Sequence, residues 1–213
     1  MSRRVIYSCP FVPAEWIAAH GFMPSRIAPM TNVGSAPGLC PYARAFANAA
    51  MENREAAAVI VTTVCGQMRR AAELIAQGSG PPVFLMNVPH TWQTPASRGL
   101  YLDELRRLGA FLVGLSGSTP SKEALGDVMM ARKTTQPHIR DAHGIPIALL
   151  GGPLPSDCHD ILDMIEEAGG YVALDGTETG ERTLPAPFDH RTLRDDPLGT
   201  LADAYFGAIP DPF

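Results

Sequence analysis

The run Val59-Ile60-Val61-Thr62-Thr63-Val64 closes on Cys65 and Gly66, and a helix-forming segment, Met68 to Ala76, follows at once. A continuous β-branched run of this kind reads as a strand of a parallel sheet, buried on both faces. The crevice at the carboxyl end of such a strand is where open α/β sheets hold ligands. Cys65 stands at that edge, close to the N-terminus of the next helix. The helix field there favours a thiolate, and Arg69 and Arg70 add positive charge within about a turn and a half.

The same chemistry occurs upstream at Gly38-Leu39-Cys40-Pro41-Tyr42-Ala43-Arg44. Pro41 suits the first turn of a helix, which puts Cys40 at or beside the N-cap and Arg44 one turn on. Two cysteines at two helix N-termini, each backed by arginine, suit an anionic metal cluster; the alternative is a pair of reduced core thiols. Their sulfurs are expected on one edge of one sheet.

The strands and helices alternate along the chain. Val5–Ser8 and Phe22–Ile27 read as strands on either side of a short helix, Ala14–His20, which Gly21 ends. A Pro/Gly/Ser/Asn-rich loop over 28–39 precedes an alanine-rich helix, Pro41–Asn53. After the central strand and its helix, Val83–Pro89 is a further apolar strand. Leu100, Tyr101, Leu105, Leu108, Leu112 and Val113 recur at helical spacing. Thr119 is the expected N-cap of the next helix, with Pro120 at its first position, running to about Lys133. The polar stretch 134–144 is the expected boundary between a first unit, 1–133, and a second, 145–213. The second opens as a βαβ element: a strand at Ile145–Leu150, a helix from Ser156 or Asp157 to Ala168, and a strand at Tyr171–Asp175. A last helix is expected over Pro197–Phe206. The fold class is α/β, with two Rossmann-like units of parallel sheet flanked by helices.

Among 213 residues, 46% are hydrophobic and 18% charged, enough for a sizeable core. A net charge of −5 gives no electrostatic case for binding nucleic acid. No apolar run approaches the ~18 residues of a membrane span. The basic start Met1-Ser2-Arg3-Arg4 has no long apolar region behind it, so a cytoplasmic location is expected, with the four cysteines as reduced thiols or ligands.

Several stretches resemble the 2-hydroxyacyl-CoA dehydratase D-component family, which includes benzoyl-CoA reductase subunits. Cys9-Pro10-Phe11-Val12-Pro13-Ala14-Glu15, with Ala19, Gly21 and Pro24, is similar to its N-terminal segment. The segments around Cys40 and Cys65 resemble its two cluster-cysteine motifs. Leu150-Gly151-Gly152-Pro153, Ile165 to Gly170, Asp175 to Arg182 and Asp196 to Phe206 resemble its second domain. The resemblance implies an iron–sulfur cluster, 4Fe–4S or related, held by Cys40 and Cys65, and a CoA thioester as substrate. It also implies low-potential chemistry: one electron from an ATP-dependent activator makes a ketyl radical from the thioester, and expulsion of the 2-hydroxyl leaves a 2-enoyl-CoA.

The chain departs from the family pattern in three places. Gly66 follows Cys65 where the family usually has Asp, and Glu178 stands where many relatives have cysteine. The family normally continues into a further domain beyond the point where this chain stops. Either another chain completes the site, within a homo- or hetero-oligomer, or the cluster is lost. The rival readings are a non-catalytic subunit that shapes a partner's cluster and a cluster-free domain that binds CoA or a small molecule.

The candidate residues carry alternatives. Arg44 and Arg69 stabilise a cluster or a CoA phosphate, or are solvated helix-face cations. His90, after Pro89 and near Trp92, is a candidate acid at a strand end. Glu178 ligates iron or orients substrate, or is a solvated loop carboxylate. Cys9 is structural or a third ligand, and Cys158 is a packing residue. His138 and His143 lack metal-ligand spacing, and Gly151-Gly152-Pro153 lacks a phosphate-loop pattern.

Overall fold

The computed structural model describes residues 3–30, 38–91, 93–116, 118–132 and 143–209. Four strands form the first sheet: β1 (Arg4–Tyr7), β2 (Met23–Arg26), β3 (Ala58–Thr62) and β4 (Val83–Met86). All pairings are parallel and the order is β2-β1-β3-β4. Every residue of β3 is buried, the outcome expected of its unbroken apolar run.

Period-two alternation divides this sheet between two cores. Ile6, Val59 and Val61 face α2 (Pro41–Glu52) and α3 (Gly66–Gln77), whose Ala43, Phe46, Ala47, Ala50, Ala71 and Ile75 are buried against them. Val5, Tyr7, Ala58, Ile60, Phe84 and Met86 point the other way. They meet α1 (Ala14–Ala19), α4 (Pro95–Ser116) and α5 (Lys122–Ala131). Tyr101, Leu105, Leu108 and Leu112 of α4 are fully buried there, the stripe that their spacing predicts. Burying each such side chain contributes about 1.5–3 kcal/mol.

Local chemistry sets the helix ends. Gly21 closes α1 in the left-handed region, φ 81°, with its N–H bonded to the Ala18 carbonyl at 2.8 Å. α5 starts later than its expected cap: Ser121, not Thr119, accepts the Ala124 N–H at 3.2 Å, and Pro120 stays outside the helix. The serine wins because its hydroxyl lies three residues from a free helix amide.

β5 (Ile145–Gly151) and β6 (Gly170–Thr177) form a separate two-stranded parallel sheet. The helix expected between them from Ser156 or Asp157 is divided. Ser156–Cys158 is a 3-10 turn, and α6 proper runs from Asp160 to Glu167. Cys158 therefore sits in the turn, exposed, and not in the first turn of the α-helix. Gly144, at φ 115°, starts β5 so close to β6 that a Cβ there would lie 2.2 Å from the Gly169 carbonyl oxygen.

The C-terminal residues, grouped by sequence with the second unit, pack on the first. α7 (Pro197–Ala202) continues into a π-helical turn, Asp203–Gly207, so the expected helix over Pro197–Phe206 changes its winding part-way. Leu193, Leu201, Tyr205, Phe206 and Ile209 lie in the core with α1, α4 and α5. Tyr205 Oη donates to the buried Glu15 carboxylate at 2.6 Å, and Arg132 pairs with the same carboxylate at 3.1 Å. Apart from His143 and Gly144, the expected linker lies outside the described residues. No helix among the described residues is long and apolar enough to cross a membrane.

Candidate functional site

From β1 the chain goes to β2 on one side, and β3 lies on the other. The carboxyl ends of β1 and β3 therefore flank the point where the strand order reverses, where open α/β sheets leave a crevice. A cavity of about 440 Å³ lies there.

The first unit supplies one wall. Ser8 and Cys9 follow β1, Thr62 ends β3, and Val64 and Cys65 lead into α3. Cys40, Pro41 and Tyr42 come from the start of α2, and Met68 from the first turn of α3. The second unit closes the opposite side with Gly152, Pro153 and Pro155 after β5 and with Glu178 and Thr179 after β6. Both sheets thus turn their carboxyl ends to the same space.

Cys40 is the N-cap of α2. Its backbone is extended, Pro41 opens the helix, and its Sγ accepts the Ala43 N–H at 3.4 Å. Cys65 is the N-cap of α3, one residue before Gly66, so α3 begins two residues ahead of the expected Met68; its side chain makes no capping bond. Gln67, in the first turn of α3, accepts the Cys40 N–H at 2.9 Å and ties the two helix starts together. The two thiols lie on one edge of the first sheet and line one cavity. Cys9 shares that lining but differs in environment. Burial pushes its thiol up to about 11, against a hydrogen bond with Thr62 that favours ionisation. It is a neutral thiol at ordinary pH.

The polar groups of the cavity are held from behind. Arg26, at the end of β2, donates through Nε to the Ser8 carbonyl at 2.9 Å, through Nη2 to the Glu178 carbonyl at 2.9 Å, and through Nη1 to Thr183 Oγ1 at 3.3 Å. One side chain therefore clamps the two walls. Burial raises the Tyr42 phenol to about 12, against a side-chain bond with Ser8, so it stays protonated and able to donate. Thr179 Oγ1 accepts the Leu154 N–H at 3.0 Å and shares a 3.2 Å contact with Thr177 Oγ1, which itself donates to Asp175. These bonds fix the Glu178 loop.

The other candidates are less central. The Nε of Arg44 is buried and has no hydrogen-bond partner among the described residues, one turn beyond Cys40. Arg69 is exposed on α3, and Arg70 pairs with Glu73 at 2.5 Å. His90 is exposed and lies outside the cavity lining; its ring nitrogen is 2.9 Å from the Thr63 carbonyl, which ties the loop after β4 to the loop after β3. Phe11 is buried in the core, and its carbonyl accepts the Tyr101 hydroxyl at 2.6 Å. His143 is exposed, while Trp92 and His138 lie outside the described residues.

The family model 2-hydroxyglutaryl-CoA dehydratase, D-component, matches residues 9–145. The chain belongs to that family. No curated protein matches it. The matched part of this D-component chain opens on Cys9 and ends on the first residue of β5, so it carries nearly all of the cysteine wall and none of the opposite one.

An iron–sulfur cluster is commonly held by four thiolates. Cys40 and Cys65 fit two such positions, since both stand at helix N-termini and an orphaned guanidinium nitrogen lies a turn from one of them. Among the described residues no group of three or more His, Cys, Asp or Glu is arranged to hold a metal ion. Among the described residues, the donors that would suit such a cluster are therefore these two. Arg26, Ser8, Thr62 and Thr179 were not singled out by the sequence. Only Thr62, ending a buried strand beside the crevice, carried a usable local signal.

Proposed function

We propose that this D-component chain acts as a subunit of a 2-hydroxyacyl-CoA dehydratase-type enzyme, with the acyl group of the thioester received in the cavity between the two units. Cys40 and Cys65 supply two thiolate ligands to an iron–sulfur cluster, and another chain supplies the rest. When bound, that cluster would pass single electrons at low potential, received from an ATP-dependent activator.

The chain's own residues prepare the place. Pro41, Val64, Met68, Pro153 and Pro155 give an apolar lining, against which a bound substrate displaces water and polar contacts strengthen. The phenol of Tyr42, held protonated, offers a donor to a carbonyl oxygen. Glu178 is the carboxylate of the lining, within the set that can orient a substrate or move a proton.

The observation that supports this reading most is the convergence of two helix-capping cysteines, Cys40 and Cys65, on one cavity at the switch point of the first sheet. Anaerobic purification with its genomic neighbours, followed by iron and sulfide analysis, tests it. Brown protein with acid-labile sulfide is expected. Metal-free protein under those conditions overturns the cluster and leaves a second reading, a cluster-free cavity for a CoA thioester, which a set of two donors among the described residues favours.

A further inference from the structure

The two cysteine-bearing helix starts are held in different ways. Cys65 lies just beyond β3, every residue of which is buried. Between them the Thr63 N–H donates to the Met86 carbonyl at 3.0 Å, so the sheet itself carries Cys65 into place. Cys40 has no such strand immediately behind it, because β2 ends at Arg26. The helix that Cys40 opens is fixed on the sheet further along, through the buried Phe46, Ala47 and Ala50. At the start of α2, Gly38 and Cys40 are exposed, and Pro41 brings no N–H. The Cys40 N–H is therefore the main-chain donor at the entry to α2, and Gln67 Oε1 accepts it at 2.9 Å. Gln67 belongs to the first turn of α3, the helix that Cys65 caps. One amide side chain thus reaches from the helix of one cysteine to the backbone of the other.

We infer that Gln67 is a positioning residue that sets the separation of the Cys40 and Cys65 thiols for a ligand that bridges both. This rests on the reading of the two cysteines as one ligand pair. A ligand that needs both sulfurs binds in proportion to how often the two stand together at its span. Side chains that hold metal-ligating residues without touching the metal commonly govern affinity in this way. The thiols do not supply the constraint themselves. The bond from the Ala43 N–H to Cys40 Sγ lies within α2 and moves with that helix, and the Cys65 side chain makes no capping bond. The Gln67 bond crosses between the helices and ends on the backbone of Cys40, so rotation of the Cys40 side chain does not loosen it. Without it the start of α2 can swing while its buried middle stays in place. The bond needs an acceptor at position 67, and a carboxylate of the same length supplies one.

Bifunctional thiol reagents of two lengths test it on the full chain, metal-free and freed of reductant under anaerobic conditions. Dibromobimane is short and bridges only sulfurs that stand close together; bismaleimidoethane reaches further. A Cys158→Ser background removes the exposed thiol outside the cavity. Peptide mapping gives the ratio of bridged Cys40–Cys65 to singly labelled product. With Gln67 in place, both reagents are expected to bridge the pair. Gln67→Leu should lower the short reagent's ratio several-fold, with the long reagent's ratio and the melting temperature nearly unchanged. Gln67→Glu should restore it, and Gln67→Ala replaces Gln67→Leu if the latter folds poorly. No bridging by either reagent with Gln67 in place defeats the ligand pair and the positioning role together. Bridging by the long reagent alone, or short bridging that persists in Gln67→Leu and Gln67→Ala, leaves the pair and overturns the role. A loss in Gln67→Glu equal to that in Gln67→Leu also overturns the role, because the acceptor was kept.

Discussion

Cys9 and Cys40 show how the same thiol takes different chemistry from its surroundings. Cys40 is exposed at a helix start, with an amide hydrogen on its sulfur. Cys9 is buried beside Thr62, and burial carries its pKa from 9.0 to about 11. The unfolded chain therefore releases that proton first. Folded stability is complete below pH 9 and falls as pH rises towards 11, by about 1–3 kcal/mol. Cys9→Ser keeps a hydroxyl for Thr62 but does not titrate. Urea melts at pH 8, 9 and 10 should show the variant losing less stability than wild type across that range. Equal losses would mean that the thiol does not ionise on unfolding. Above pH 10 the buried phenols of Tyr7 and Tyr42, both raised to about 12 by burial, add losses common to both proteins.

Cys40→Ser and Cys65→Ser belong to the same scale. Neither residue belongs to the buried hydrophobic clusters, so each exchange should leave the melting temperature nearly unchanged. Each should remove most of the bound iron from anaerobically purified protein. Retention of iron in both variants would place the ligands elsewhere. Gly109 is the opposite case, a packing requirement with no chemistry. A Cβ there would stand 2.8 Å from the Trp16 ring, whose Nε1 is already fixed on the Leu105 carbonyl at 2.8 Å. Gly109→Ala should cost about 1–3 kcal/mol in chemical denaturation.

Between elements, the clamp of Arg26 matters most. Its three hydrogen bonds reach from β2 to the loop after β1 and to the loop after β6. The β5–β6 sheet has few other supports: Ile145, Leu150 and Leu174 are 66%, 70% and 47% exposed, and two strands alone are marginal in water. Arg26→Ala should therefore speed amide exchange in residues 176–184 several-fold while exchange in β1 and β3 stays near wild type. Faster exchange throughout would show that Arg26 supports the whole fold and not the joint.

At the scale of the whole molecule, the chain returns to where it started. The Glu15 carboxylate, close to the N-terminus, is held by Tyr205 and Arg132, and Tyr205 Oη also lies 3.4 Å from the Ala14 amide. Phe206 stacks on Tyr101 with ring centroids 5.0 Å apart. Removing residues 184–213 should uncover one face of the first sheet and give insoluble or molten protein, seen as lost near-ultraviolet dichroism. A cooperative melt in the truncated chain would show that α7 is only an appendage. Tyr205→Phe, a milder probe, takes one donor from a buried carboxylate and should cost about 1–3 kcal/mol.

What the sequence determined by itself was whatever local pattern controls. The β-branched run at 59–64 could only be a buried strand, the α4 stripe could only face a core, and Cys40 before Pro41 could only cap a helix. Those three placed both candidate cysteines at the carboxyl edge of a parallel sheet. The tertiary structure alone decided which distant segments meet. Arg26 is 152 residues from Glu178, and Tyr205 is 190 from Glu15. No periodicity encodes such pairs, because they depend on how the second unit and the C-terminal helix dock. The same docking put Glu178 opposite the cysteines and left His90 outside the cavity, tied to a backbone carbonyl. Side-chain type marks residues that could do chemistry, but packing selects which of them share a site.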